Sequence, residues 1–151
     1  MAHIEKLTPE NYYKCRNIWD IESMPEMAQK WLDELKSGNR IIFVYVENGE
    51  YLGEGALVID SDCSYCMANK NECVYLSRMV VKPECRNRGI GQAILDHLFD
   101  YARGMGYKEI SIGVDIVNIG ARWLYEKNGF TTVFKLGEDE GGKFVKLLKV
   151  L

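Results

Sequence analysis

The chain has 151 residues, 47% apolar and 27% charged, the balance of one globular domain over 1–151 rather than of a disordered chain. A formal charge of −3 lacks the clustered cations a duplex-binding surface needs, so nucleic acid is not an expected partner. No apolar run approaches the ~18–20 residues of a bilayer span, no leader pattern opens the chain, and five cysteines argue against a disulfide framework; the expectation is a cytoplasmic protein without a membrane partner.

Ala2–Leu7 alternates as a short strand. Thr8-Pro9-Glu10 reads as a helix start, and Tyr12, Cys15, Ile18 and Trp19 follow at helical spacing. Met24-Pro25-Glu26 restarts the pattern, with Met27, Trp31, Leu32 and Leu35 defining a second helix that ends near Gly38. Arg40–Glu47 and Tyr51–Ile59 are strands joined by Asn48-Gly49, a strong hairpin signal. Asp60–Glu72 is the longest connection, and Cys73–Val81 a central strand. Pro83–Arg88 is a loop opening into a helix over Gly89–Met105. Then come a strand (Lys108–Val114), a helix (Asn118–Lys127), a strand (Phe130–Leu136), a turn (Gly137–Gly142) and a last strand (Lys143–Val150). The order β-α-α-β-β-β-α-β-α-β-β predicts a mixed α/β domain.

The most informative segment is Arg86-Asn87-Arg88-Gly89-Ile90-Gly91-Gln92. A buried strand runs into a basic glycine-bearing loop that opens a long helix. The first turn of a helix presents unpaired N–H groups and the positive end of its dipole, which together suit a phosphate. The spacing is neither that of a P-loop nor G-x-G-x-x-G. A second segment, Asn118-x-x-Ala121-x-x-Leu124-Tyr125-x-x-x-Gly129-Phe130, follows the next strand.

Together these segments resemble the acetyl-coenzyme A signatures of the GCN5-related N-acetyltransferase (GNAT) superfamily. The resemblance implies a mixed, mostly antiparallel sheet of six to seven strands, with helices on both faces and splayed central parallel strands. It further implies an N-acetyltransferase that uses acetyl-CoA on a primary amine of a small molecule or peptide, by direct attack in a ternary complex. The alternative is a non-catalytic acyl-CoA-binding or regulatory module on the same fold. By the same resemblance, Met79, Val80 and Val81 offer main-chain groups to the pantetheine arm. The pyrophosphate lies over Arg86, Asn87, Arg88, Gly89, Ile90, Gly91 and Gln92, and Asn118 meets the cofactor arm. Tyr125 matches the position of a general acid for the departing thiolate. Homodimers are common in the superfamily, so a homodimer is among the expected assemblies.

The base has several candidates. Superfamily members that act on ribosomal proteins and other N-termini often carry a glutamate at the position of Gly113. Glu54, Asp115, Glu22 and Tyr75 are the candidates here, directly or through water. Segments corresponding to the acceptor pocket hold Trp19, Asp20, Glu22, Met24 and Glu26, then Glu138, Asp139 and Glu140, an acidic set with apolar neighbours. Cys63-x-x-Cys66 with Cys73 has thiolate spacing but lacks a fourth local ligand, so no metal is expected. Cys85, beside the basic loop, is a candidate reactive thiol.

Overall fold

The computed structural model describes residues 1–151. Seven strands join in the order β1-β2-β3-β4-β5-β7-β6. They are β1 (Ala2–Lys6), β2 (Arg40–Glu47), β3 (Glu50–Val58), β4 (Cys73–Val81), β5 (Glu109–Asp115), β6 (Phe130–Asp139) and β7 (Gly142–Val150). The α-helices are α1 (Pro25–Ser37), α2 (Ser64–Ala68), α3 (Ile90–Gly104) and α4 (Ile119–Lys127). Two compact units result, Met1–Asp60 with Ser77–Tyr101, and Ser61–Leu76 with Ala102–Leu151.

In the first unit β1, β2 and β3 form an antiparallel meander. Asn48 (φ 51°) and Gly49 (φ 81°) both take positive φ, the geometry of the two-residue hairpin that Asn-Gly favours. Alternation along β3 assigns its two faces. Gly53 and Gly55 face α3, so closely that a Cβ on Gly55 would come within 2.7 Å of Ile94 and 2.8 Å of Leu98. Glu54 points to the opposite face. There Leu7, Tyr12, Cys15, Ile18, Leu35, Ile42 and Val44 form a buried cluster, with Trp19, Trp31, Leu32 and Val80 packed against it. Helices therefore cover both faces of this part of the sheet.

The segment after β1 departs from the α-helix expected there. Pro9–Asn17 is a 3₁₀ helix, and a second 3₁₀ turn covers Ile21–Ser23. Tyr12, Cys15 and Ile18 recur every three residues, which aligns them along one edge of a threefold helix. Thr8 makes no side-chain cap, and Pro9 alone sets the entry. Gly38 closes α1 at φ 85°, the left-handed termination glycine permits.

In the second unit the first residues of β4 pair in parallel with β5, from Cys73↔Glu109 to Leu76↔Ile112. Ser77–Val81 lies outside that ladder. β5 pairs antiparallel with β7, and β7 with β6. The final hairpin is longer than the sequence suggested. β6 runs to Asp139 and β7 begins at Gly142, so only Glu140 and Gly141 remain as the turn. The 60–72 connection likewise contains a short helix, α2, because Cys66 is buried with Cys63, Cys73 and Leu148.

Candidate active site

The loop that leads into α3 is built as the sequence suggested. Asn87 (φ 64°) and Gly89 (φ 81°) turn the chain through the left-handed region, and Ala93 N–H to the Gly89 carbonyl is the first bond of the helix. The amides of Asn87, Arg88, Gly89, Ile90 and Gly91 form no backbone hydrogen bond, leaving a run of donors at the positive end of a 15-residue helix. Gly91 lies against β4: a Cβ there would stand 3.3 Å from Met79 Cε and 3.8 Å from Val81 Cγ2. Gly89 meets nothing within 4 Å, so its conformation, not crowding, calls for glycine.

The two arginines of the loop are already engaged. Arg86 Nε donates to the Val81 carbonyl at 3.3 Å. Arg88 donates to both Glu47 oxygens, at 2.8 and 3.0 Å, and this carboxylate strengthens its hold on the proton. Cys85, half-buried, sits in the 3₁₀ turn just before.

In the second unit, Asn118 caps α4, its side-chain oxygen accepting from Ala121 N–H at 3.2 Å. Tyr125 is 7% exposed and meets Phe130 edge-on at 5.7 Å. Burial alone pushes its phenol up to about 12, so it is a protonated hydroxyl at any physiological pH. Gly113 faces a tyrosine: a Cβ there would be 3.5 Å from the Tyr75 hydroxyl, which reaches into the space a side chain at 113 would fill. Asp139 is occupied locally, accepting from Gly141 N–H at 2.9 Å.

Glu54 is 3% exposed. Its carboxylate accepts from Arg78 Nε at 3.2 Å and lies close to the Cys15 thiol. Burial raises its proton affinity and outweighs the opposing pull of Arg78. Burial, with Glu54 alongside, also keeps Cys15 a thiol.

Sequence reasoning missed the group around Arg78. Its guanidinium lies 4.7 Å from the Trp19 ring and 4.8 Å from the Trp31 ring, and those rings meet edge-on at 5.4 Å. Arg40, 4% exposed, approaches Trp31 at 5.0 Å and donates to Ser77 Oγ at 3.0 Å. Trp31 also lines a shallow groove of about 560 Å³ with Met24, Pro25, Glu26, Met27 and Lys30. Of the acidic residues expected near this pocket, Glu26 lines the groove, whereas Asp20 and Glu22 are engaged locally. Asp20 accepts from Ser23 N–H, and Glu22 pairs with Arg16 at 3.4 Å on the surface.

The cysteines of the 60–72 connection gather in the second unit. Cys66 Sγ lies 2.9 Å from both Cys73 Sγ and Ser111 Oγ, and Cys63 Sγ is 3.7 Å from the same hydroxyl. No group of three or more His, Cys, Asp or Glu is arranged to hold a metal ion.

This chain is similar to several known proteins. An uncharacterised N-acetyltransferase of Methanocaldococcus jannaschii is 30% identical over 122 residues, which is 80% of this chain but 49% of that protein; the chain thus spans about half of that relative's length. Among solved structures, a GNAT-family protein from Desulfovibrio desulfuricans superposes with a TM-score of 0.79 at 15% identity, over 99% of both chains. A GNAT acetyltransferase from Elizabethkingia anophelis, solved with acetyl-CoA bound, superposes with a TM-score of 0.72 at 18% identity, over 99% of this chain and 98% of that one. The family model for the acetyltransferase (GNAT) family matches residues 2–130, and with the seven-strand mixed sheet and the glycine loop in place, the chain belongs to that family.

Proposed function

We propose that this protein is an N-acetyltransferase that moves an acetyl group from acetyl-CoA to a primary amine, within a ternary complex. The observation that carries this reading is the row of unbonded amides from Asn87 to Gly91 at the start of α3, shaped by Gly89 and opening beside Met79. A pyrophosphate is the anion such a row suits. Acetyl-CoA supplies an acyl thioester, whose C–S bond breaks as a C–N bond to the amine forms.

The chain's own residues have four tasks in this reading. The amides of Arg88, Gly89, Ile90 and Gly91, with Asn87 and Gln92 at the edges, hold the diphosphate, and Arg86 adds charge. Main-chain groups of Met79, Val80 and Val81 align the arm. Asn118 contacts the arm through the side-chain amide that capping leaves free, and Tyr125 gives a proton to the departing sulfur. Glu54 takes the proton that an ammonium must lose before attack, which its raised proton affinity suits.

The reading is tested by following thiol release from acetyl-CoA across a panel of small amines and peptide N-termini. Turnover with one class of amine, lost in Gly91→Glu, supports it. Tight acetyl-CoA binding without turnover on any amine favours the non-catalytic acyl-CoA module.

A further inference from the structure

Arg78 is an arginine held for use. Its Nε is anchored by the buried Glu54 carboxylate at 3.2 Å, and its guanidinium rests against the paired Trp19 and Trp31 rings at 4.7 and 4.8 Å. Those contacts fix the plane of the group but use only one of its five donors. The terminal nitrogens make no hydrogen bond within the chain, and the side chain is 26% exposed. Two further buried donors beside it are unmet: Trp19 Nε1 and Arg40 Nε have no acceptor. The unmet acceptor, one oxygen of Glu34, is 3.7 Å from the Arg40 guanidinium and so is electrostatically compensated. Buried donors without acceptors are uncommon in native proteins and call for a ligand or an ion.

The charges point the same way. Arg40 and Arg78 face Glu34 and Glu54 one to one, and each of those carboxylates already has an arginine beside it, so none is left over for a cation. A cation is an unsuitable guest, because Arg78 already occupies the faces of both tryptophans. A planar oxyanion, by contrast, can take two parallel bonds from the fork. Arg78 is one residue from Met79 along β4, and consecutive Cα atoms lie about 3.8 Å apart. An acceptor anchored there would hold its amine a few bonds away, beside the main chain that aligns the thioester.

We infer that the acceptor amine also carries a carboxylate, which docks on the Arg78 guanidinium beside Trp19 and Trp31. This inference rests on the acetyltransferase reading and narrows its acceptor to amino acids and like compounds. Glu54 is then a positioning residue for Arg78 as well as the base.

The test compares matched acceptors that differ only at the carboxyl group: free α- and ω-amino acids, their amides, and the corresponding amines without the carboxyl. Peptides with free C-termini form a separate arm, to distinguish a free amino acid from a chain end. The expected result is a kcat/KM for one class of amino acid about 30- to 100-fold above that of its amide, the scale of a lost charge-assisted pair. In Arg78→Gln that preference disappears through KM, while calorimetric affinity for acetyl-CoA stays within a few-fold. Arg78→Lys, which keeps the charge without the fork, recovers only part of the preference. If Arg78→Gln fails to fold, the wild-type comparison and Arg78→Lys decide alone. Amides and amines accepted as well as the acids would overturn the inference and leave the acetyltransferase reading intact. Absence of acetyl-CoA binding to the wild type would overturn both.

Discussion

Arg78 Nε and Glu54 Oε1 are 3.2 Å apart, and the carboxylate in this pair is 3% exposed. The pair joins β4 to β3 on the face opposite α3, under the Trp19 and Trp31 rings. A carboxyl in that position costs desolvation, which the Arg78 hydrogen bond and the charges of Arg78 and Arg40 offset only in part. Removing one partner leaves the other without compensation. Glu54→Ala should therefore destabilise the fold by about 2–4 kcal/mol, since Arg78 is partly exposed and less costly to strand than a fully buried ion. Urea unfolding of the two proteins checks this, and Glu54→Gln, which keeps shape and one acceptor, should cost less. The same Gln variant separates two roles. A base would move the ascending limb of the pH–rate profile, whereas a residue that only orients Arg78 would change acceptor KM.

Tyr125 is predicted to matter to turnover more than to binding. Tyr125→Phe should lower kcat about 10- to 100-fold, at the modest end of positioned proton transfer, with acetyl-CoA affinity unchanged within a few-fold. Steady-state kinetics with a calorimetric titration give both numbers.

Burial raises the phenol of Tyr125 to about 12 from an ordinary value of 10.0. The folded state holds the proton more tightly than the unfolded state. Its contribution is therefore complete below pH about 10 and is lost as pH rises toward about 12, a total of about 3 kcal/mol. Tyr12 and Tyr51 are raised in the same direction, also to about 12, so the alkaline decline belongs to several tyrosines together. Thermal unfolding from pH 7 to about 11 should show a shallower decline in Tyr125→Phe than in wild type. Turnover should show no descending limb from Tyr125 below pH about 10.

Close packing under α3 gives a prediction that depends on no ligand. A methyl group at Gly55 would press on Ile94 and Leu98 at 2.7 and 2.8 Å. Gly55→Ala should cost about 1–3 kcal/mol through overpacking. Calorimetric unfolding measures it, and an unchanged Tm would show that α3 moves freely on β3.

Much of this was legible in the residues, for identifiable reasons. Asn48-Gly49 states its own turn, because both residues must take positive φ and few other pairs do so at low cost. Gly89 and Gly91 sit where a strand hands over to a helix, a local event that a few residues specify. The 3₁₀ form of Pro9–Asn17 was less visible, since spacing of three fits an α-helix face as well. Arg78 and Glu54 were not legible as a pair. They are 24 residues apart, and only the sheet brings them onto one face. The acidic residues near Trp19 suggested an amine-binding pocket, but Asp20 and Glu22 are engaged in local contacts and Arg78 takes the tryptophan faces.

Thiol chemistry offers an independent check on the loop. Cys15, Cys63, Cys66 and Cys73 are buried, whereas Cys85 is half-buried next to Arg86. A small disulfide reagent should modify Cys85 first in the folded protein, and acetyl-CoA should slow that reaction. Labelling unaffected by acetyl-CoA would place the ligand away from this turn.

The central claim is that the amides from Asn87 to Gly91 receive the diphosphate of acetyl-CoA. Calorimetric titration of the wild type, Gly89→Glu and Gly91→Glu with acetyl-CoA tests it most directly. Each variant puts a carboxylate where the anion would lie, and circular dichroism confirms that it remains folded. The account predicts micromolar binding by the wild type and loss of binding in both folded variants. Wild-type protein that takes up no acetyl-CoA at millimolar concentration, or variants that bind it as well as wild type, would contradict it.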